Sequence, residues 1–471
     1  MKANNKKWLW LLGLHVLLGV VLAFYRPLST FWGAGAFFWF FFQTLRTRNR
    51  KGSAYLGAAY IVGLEVLLRM CGASLFWEFG KLACLVLLGT GLMVEPRRKY
   101  AYRYFLIALL LLPALFLGAD VDFNRFRQNL TFQLGGMFLL SLSCVYFAGR
   151  PMSRANLQVL MRMVLLPTGS MVTYLFLVTP SLAEIQFTLS ANFAASGGFG
   201  PNQVSTILGL GMLLLSANFL LRWPPLFSQY TDLLLLGLLG FRALLTFSRG
   251  GVAGFLLAIV LAYTVYLYTN RSAARQKLLV RWVTILSVVG VLFLIVNQLT
   301  GDLLLHRFRG ETTSVYLGIE EHSLDKATSG RTRIMQTDLQ IWQDYPIWGV
   351  GVGESNRIRP EYGYKNISHI EQTRLLSEHG IPGAIVLLWL VGMIGYRALT
   401  QARIQKFLVL AFSLFSFATM FHSATRLAVV GFLFGLGLIS LYENHLVHRQ
   451  PPVAQRRLPV RGRKSGAAVA P

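Results

Sequence analysis

YTDLLLLGLLGFRALLTFSRGGVAGFLLAIVLAYTVYLY, residues 230–268, consists of two apolar runs separated by the four residues SRGG. Each run approaches the ~20 residues that cross the hydrocarbon core of a bilayer. The stretch reads as two membrane helices joined by a short turn, and the rest of the chain repeats this pattern. Of its 471 residues 54% are hydrophobic and 14% charged, and the mean hydropathy is +0.52. Apolar runs fall at 8–24, 30–45, 54–71, 75–94, 104–119, 130–147, 157–178, 204–221, 230–247, 252–268, 282–299, 381–399, 407–421 and 427–442. The expected fold is an all-α polytopic membrane protein with about fourteen spans, twelve at the least.

The net charge of +26 would point to nucleic acid in a soluble chain. Here the basic residues sit in short clusters between apolar runs, as the positive-inside rule produces, and no folded basic domain is left to hold a nucleic acid. Cys71, Cys84 and Cys144 lie inside apolar runs and read as small buried hydrophobes, not as disulfide or zinc ligands. The start, MKANNKKWLWLLGLHVLLGVVLAF, is basic like a signal peptide but lacks a small-x-small cleavage site. It reads as an uncleaved first helix.

RTRNRK (46–51), EPRRKYAYR (95–103), NRSAARQKLLVR (270–281) and RALTQARIQK (397–406) fall on one side of the bilayer, whereas 179–203 contains no Lys or Arg. Both termini are therefore expected in the cytoplasm. The organisation that follows is an N-terminal helix bundle (1–300), one large periplasmic loop containing helices (301–380), C-terminal helices (381–445) and a basic disordered cytoplasmic tail (446–471) attracted to anionic membrane lipids.

The loop contains SGRTRIMQTDLQIWQDYPIWGVGVG, residues 329–353. Ile334, Met335, Leu339, Ile341 and Trp342 form a helical stripe, with Arg333 on another face. Ser329 is the expected N-cap and Arg331 falls in the first turn; unpaired N–H groups with an arginine suit a phosphate. Arg249, in SRGG, stands where a span ends, and the two glycines allow a tight turn and a close backbone approach. Without a ligand it is an interfacial arginine reaching for head groups. Arg242, two turns earlier, lies within a span and should face a polar cavity.

YKNISHIEQTRLLSEHGIPGAIVLLWL (364–390) brings His369, Glu371 and Arg374 up to a span; HIEQT is not the HExxH of a zinc helix. Asn202 and Gln203 begin another span, as a helix cap or as hydrogen-bonding partners of ligand hydroxyls. Glu65 with Arg69, and Glu78 with Lys81, have the spacing of structural pairs. His422 and Arg426, in FHSATR, lie near the outer face and are candidates for the lining of a ligand cleft there.

SRGG, then the R…W…P…GVGVG segment, then His369 ahead of EHGIPG, together resemble the signature series of the O-antigen ligase and polymerase superfamily. The resemblance implies a GT-C-like glycosyltransferase at the periplasmic face of the bacterial inner membrane, drawing on an undecaprenyl-diphosphate-linked glycan. By position, Arg249 and Arg331 would bind the donor diphosphate and His369 would be the catalytic histidine facing an acceptor hydroxyl. Ile370 follows that histidine where the family often carries Asn, which leaves its partner unassigned. No metal and no cofactor is expected, since arginines can stabilise the leaving diphosphate, and direct attack at C1 would invert the anomeric centre. The favoured acceptor is the lipid A core, as in an O-antigen ligase. The alternatives are another lipid-linked glycan (a polymerase) and a protein hydroxyl (an O-oligosaccharyltransferase). A lipid or polysaccharide transporter would concentrate its charged and broken-helix features near the midplane, unlike this chain.

Overall fold

The computed structural model describes residues 2–72, 74–96, 99–117, 122–269, 272–319, 324–365 and 367–442; the basic tail expected at 446–471 lies outside them. The chain is an all-α polytopic membrane protein. Among the described residues eight helices are long and apolar enough to cross a membrane: Asn5–Phe24, Ser53–Met70, Arg154–Val178, Pro201–Leu220, Arg249–Tyr268, Gln276–Leu299, Glu371–Thr400 and Arg403–Ser423. The pair Phe123–Gln133 and Gly135–Phe147, bent by 49°, brings the number to nine if it forms one span.

That is fewer than the expected count of about fourteen, and most of the shortfall has a physical cause. Apolar runs at 75–94, 104–119, 230–247 and 427–442 do form helices, but short ones: Phe79–Val94, Phe105–Leu111, Gln229–Leu245 and Ala428–Leu436. Pro113 and the turn through Ala424, whose φ is 49°, cut two of them. A short apolar helix is as well buried inside a bundle as a spanning one, so apolarity alone overcounts spans. The all-helical expectation also lacked one detail. Pro151–Ser153 and Ser440–Tyr442 pair as a small parallel sheet where two segments leave the bundle side by side.

Ser53–Met70 is the core of the bundle, with 89% of its apolar window buried, against 17% for Asn5–Phe24 and 11% for Gln276–Leu299. Those two outlying helices turn Trp10, Leu17, Val291 and Leu294 outward, as suits a lipid-facing surface. The core helix carries charge, and the charge is paired. Glu65 meets Arg69 at 2.7 Å and Glu78 meets Lys81 at 2.5 Å, all four side chains buried. Glu65 also accepts the backbone N–H of Ala428 at 2.8 Å, tying the core helix to the start of the last one.

The Glu371–Thr400 helix breaks at Gly380, where φ is 58° and ψ −134°. Pro382 has no N–H to return to Glu378, and the Ile381 N–H turns away to the carbonyl of Pro346 at 2.9 Å. The two carbonyls thus orphaned, of Ser377 and Glu378, are taken by the N–H groups of Val350 and Gly351 at 3.0 and 3.1 Å. The GVGVG run is therefore a plug for a broken helix. Gly349, Gly351 and Gly353 all have positive φ there.

A Cβ at position 380 would lie 2.6 Å from the carbonyl carbon of Ile347 in a backbone region that L side chains rarely adopt. Gly380→Ala is expected to destabilise the fold by roughly 1–3 kcal/mol, read as a fall in the thermal unfolding temperature in detergent. An unchanged unfolding temperature would mean that the break does not depend on glycine.

Candidate active site

Arg249 is the first residue of its helix, entered through Phe247 at φ 53° and an extended Ser248. Gly250 and Gly251 are already helical and do not form the turn. Their smallness serves close packing. A Cβ on Gly250 would lie 2.2 Å from Cγ of His422, and one on Gly251 would lie 2.1 Å from the carbonyl oxygen of Ser205. The Ser248 hydroxyl donates to Oδ1 of Asn202 at 2.7 Å and accepts from Ser205 at 3.0 Å. Asn202 Nδ2 donates to the His422 carbonyl at 3.4 Å, and His422 Nε2 pairs with the Thr206 hydroxyl at 3.0 Å. Asn202 thus braces the SRGG entrance and caps nothing.

The Arg249 guanidinium donates to the carbonyl of Arg307 at 3.1 Å and to the Ser329 hydroxyl at 2.9 Å. Ser329 is not the N-cap that the sequence suggests. Gly330, at φ 80°, holds that position without a side-chain cap, and Ser329 instead links the segment of Arg331 to Arg249. The Arg331 guanidinium makes no hydrogen bond or ion pair among the described residues. Burial, then the charge of Arg249, push its pKa down to about 10. Arg307 is pushed down to about 10 as well, by burial and then by Arg249 and Arg331.

Arg307 was not among the sequence candidates, since nothing in LLLHRFRGE distinguishes it from Arg309. Three guanidinium groups that disfavour each other's charge, paired with no carboxylate among the described residues, suit an anion. Arg249 and Arg331 line a cavity of about 620 Å³ together with Gln372 and His422, and Leu257, Phe417 and Phe421 make its apolar walls. The Oε1 atom of Gln372 is buried there without a partner.

His369 precedes the Glu371 helix, and its Nδ1 is buried without a hydrogen-bond partner. Burial, then the charges of Arg426, Arg331 and Arg374, push its pKa down to about 4, so the imidazole is neutral at ordinary pH. Its position is set by Asp338, which the sequence did not mark. This buried carboxylate pairs with Arg359 at 2.5 Å and accepts from the hydroxyls of Ser368 at 3.1 Å and Thr373 at 2.7 Å. Burial raises the Asp338 pKa against the pull of Arg359. Ile370 is fully buried and packs the start of the helix.

Arg426 is held by its backbone. Arg69 donates to its carbonyl at 3.2 Å, and the neighbouring Thr425 N–H donates to Glu371 at 3.3 Å. Its guanidinium has no hydrogen bond or ion pair among the described residues, and burial, then Arg374, push its pKa down to about 10.

Other candidates are committed elsewhere. Arg242 donates to the carbonyls of Leu175 and Ala195 and to the Thr179 hydroxyl, and lies 5.1 Å over the Phe176 ring. It fastens the segment after Val178. Arg333 is exposed, donating to the carbonyl of Gly363 at 3.2 Å over the Tyr364 ring. Arg374 pairs with Glu371 at 2.7 Å and donates to Gln133 at 2.6 Å. Gln203 accepts from Arg69 at 2.9 Å. His422 belongs to the arginine cavity, not to a separate cleft.

Residues 234–388 match the family model described as O-antigen ligase. That range includes Arg249, Arg307, Arg331 and His369, and ends before His422 and Arg426. No curated protein and no solved structure matches the chain.

Proposed function

We propose that this chain, an O-antigen ligase superfamily member through residues 234–388, is a membrane glycosyltransferase. It transfers a glycan from undecaprenyl diphosphate to a hydroxyl of the lipid A core oligosaccharide at the periplasmic face of the inner membrane. The observation that carries this is the pair of guanidinium groups of Arg249 and Arg331, paired with no carboxylate among the described residues, lining an apolar-walled cavity, with Arg307 beside them. A polyprenyl diphosphate has the matching chemistry: an apolar chain for the walls and an anion for the arginines.

When the C1–O bond of the donor breaks, the electron pair stays with the diphosphate, and its growing charge falls beside Arg249 and Arg331. Groups arranged in advance around developing charge lower the barrier most. The acceptor hydroxyl loses its proton as it attacks C1, and the neutral His369, whose charge Arg426 and Arg331 disfavour, is the base assigned to take it. An empty-site pKa of about 4 makes it a weak base. A bound diphosphate offsets the charges of Arg331 and Arg426 and raises it. Attack from the face opposite the leaving group inverts the anomeric centre.

The test is the purified chain in proteoliposomes with an undecaprenyl-diphosphate glycan and three acceptors offered in parallel: lipid A core, a second lipid-linked glycan, and a serine-bearing peptide. Transfer to lipid A core is expected, and it should persist with a chelator present. Elongation of the second lipid-linked glycan would make the chain a polymerase, and transfer to the peptide a protein glycosyltransferase.

A further inference from the structure

The helix Arg331–Asp344 runs into YPIW, residues 345–348, and all four residues of that turn are exposed. Tyr345, Ile347 and Trp348 are 50%, 59% and 54% exposed. Their backbone, by contrast, is committed. The carbonyl of Tyr345 accepts from the N–H of Gly349 at 3.1 Å, and those of Pro346 and Ile347 share the N–H of Ile381 at 2.9 and 3.0 Å. Pro346 has no N–H of its own. A turn with these carbonyls taken and its apolar side chains outward can enter a medium that does not hydrogen-bond at little cost.

Ile381 sets the level of this turn. It follows the break at Gly380 and opens the straight part of the span Glu371–Thr400, on which Ile381, Ile385, Leu388 and Val391 are exposed along one face. That stripe faces lipid, and the turn is bonded to its first residue. The other end of the helix meets the membrane too. Arg331 lines its cavity with Arg249, Gly250, Ala253 and Gly254, in the first two turns of the span Arg249–Tyr268. Among the described residues only Gln276–Leu299 crosses between these two spans, so both start at the same membrane face. The helix Arg331–Asp344 therefore bridges their two starts along that face. Arg333, Gln336, Gln340 and Gln343 are exposed on its polar side.

We propose that the turn Tyr345–Trp348 is an interfacial anchor, seated among the phospholipids of the leaflet beside the arginine cavity. Tyrosine and tryptophan favour that boundary, where the aromatic body is buried and the polar edge stays wet. The phospholipid that covers the exposed stripe of the span Glu371–Thr400 is the occupant continuous with this turn. With the far end of its helix seated in this way, Arg331 is held at the level of the head groups, where a membrane-borne phosphate lies. Part of the segment 301–380, expected as a periplasmic loop, thereby becomes an element of the membrane surface. The anchor does not depend on which reaction the chain performs.

Ile347→Cys, Leu388→Cys and Gln336→Cys, made one at a time in the full chain, each place a thiol at an exposed position, whereas Cys71, Cys84 and Cys144 are buried. Each variant is labelled with a fluorophore and reconstituted into vesicles of phosphatidylethanolamine and phosphatidylglycerol. Quenching is read with lipids that carry a nitroxide near the head group or at mid-chain. The label at Ile347 is expected about 5–10 Å into the head-group and acyl boundary, the depth of an interfacial segment. The label at Leu388 should lie deeper, and the label at Gln336 should be quenched by neither lipid. The depth at Ile347 should be the same in phosphatidylcholine alone, because the turn carries no cation to seek an anionic lipid. Quenching at Ile347 that requires phosphatidylglycerol would overturn this apolar seating. A label at Ile347 left unquenched would overturn the anchor altogether. If its emission then shifted on adding undecaprenyl diphosphate, the turn would belong to that lipid's chain instead.

Discussion

Arg331→Ala is expected to lower glycan transfer about 10²–10³-fold, roughly 2.7–4 kcal/mol of transition-state stabilisation, the size found when one donor to a developing anion is removed. The effect should fall on catalysis and leave folding intact. The Arg331 guanidinium has no hydrogen bond or ion pair among the described residues and its charge is opposed by Arg249, so its removal relieves repulsion and breaks no polar contact. An unfolding temperature equal to or above that of the parent is expected alongside the lost activity. Arg331→Lys should recover only part of the rate, because an ammonium cannot reproduce the guanidinium fork. Arg249→Ala should cost as much in transfer but also loosen the fold locally, since Arg249 ties the Arg307 carbonyl to Ser329. A fully active, folded Arg331→Ala protein would remove the diphosphate role.

His369→Ala is expected to reduce transfer to background while binding of the donor lipid stays within about threefold, because a general base contributes to the chemical step and not to holding the diphosphate. Its pH dependence has a definite sign. With a pKa near 4, below the ordinary 6.5, His369 in the empty site is neutral through the physiological range and gains its proton only in acid. The acid limb of kcat/KM, which reports the free enzyme, should therefore lie near pH 4. The limb of kcat should lie higher, because bound diphosphate favours the imidazolium. Stability follows the same shift. As pH falls from 6.5 towards 4 the unfolded chain takes up a proton that the folded chain refuses, and folding weakens. Identical acid limbs for kcat and kcat/KM would mean that the donor diphosphate does not act on His369.

Much of this was legible in the sequence, for physical reasons that differ by residue. Arg249 and Arg331 are marked because a cation where an apolar run ends, or at a helix start beside glycine, is unusual in so apolar a chain. The helices are legible because burial in lipid and burial in a bundle both demand apolar runs, and for the same reason spans could not be told from the shorter interior helices. Arg307 and Asp338 were not legible: one stands beside an equivalent arginine, and the other is a single carboxylate in a polar segment. Their significance arises only when Leu189, Phe247, Arg359 and Ser368 converge on them from distant parts of the chain. Arg242 misled in the opposite direction. A charge inside an apolar run looks functional, yet Nη2 of Arg242 is spent on the carbonyls of Leu175 and Ala195. The role of the GVGVG run was not legible either: the N–H groups of Val350 and Gly351 are taken by the broken helix at Gly380, a contact that only the fold creates.

The most direct measurement of the central claim follows one sugar-labelled undecaprenyl-diphosphate glycan in proteoliposomes containing the chain and a lipid A core acceptor. The account predicts that the label moves to an acceptor hydroxyl with inversion at C1, that one undecaprenyl diphosphate is released for each glycan transferred, and that His369→Ala stops both. Labelled lipid that crosses the bilayer with its glycan still attached, and no glycosylated acceptor, would contradict the account and make the chain a transporter.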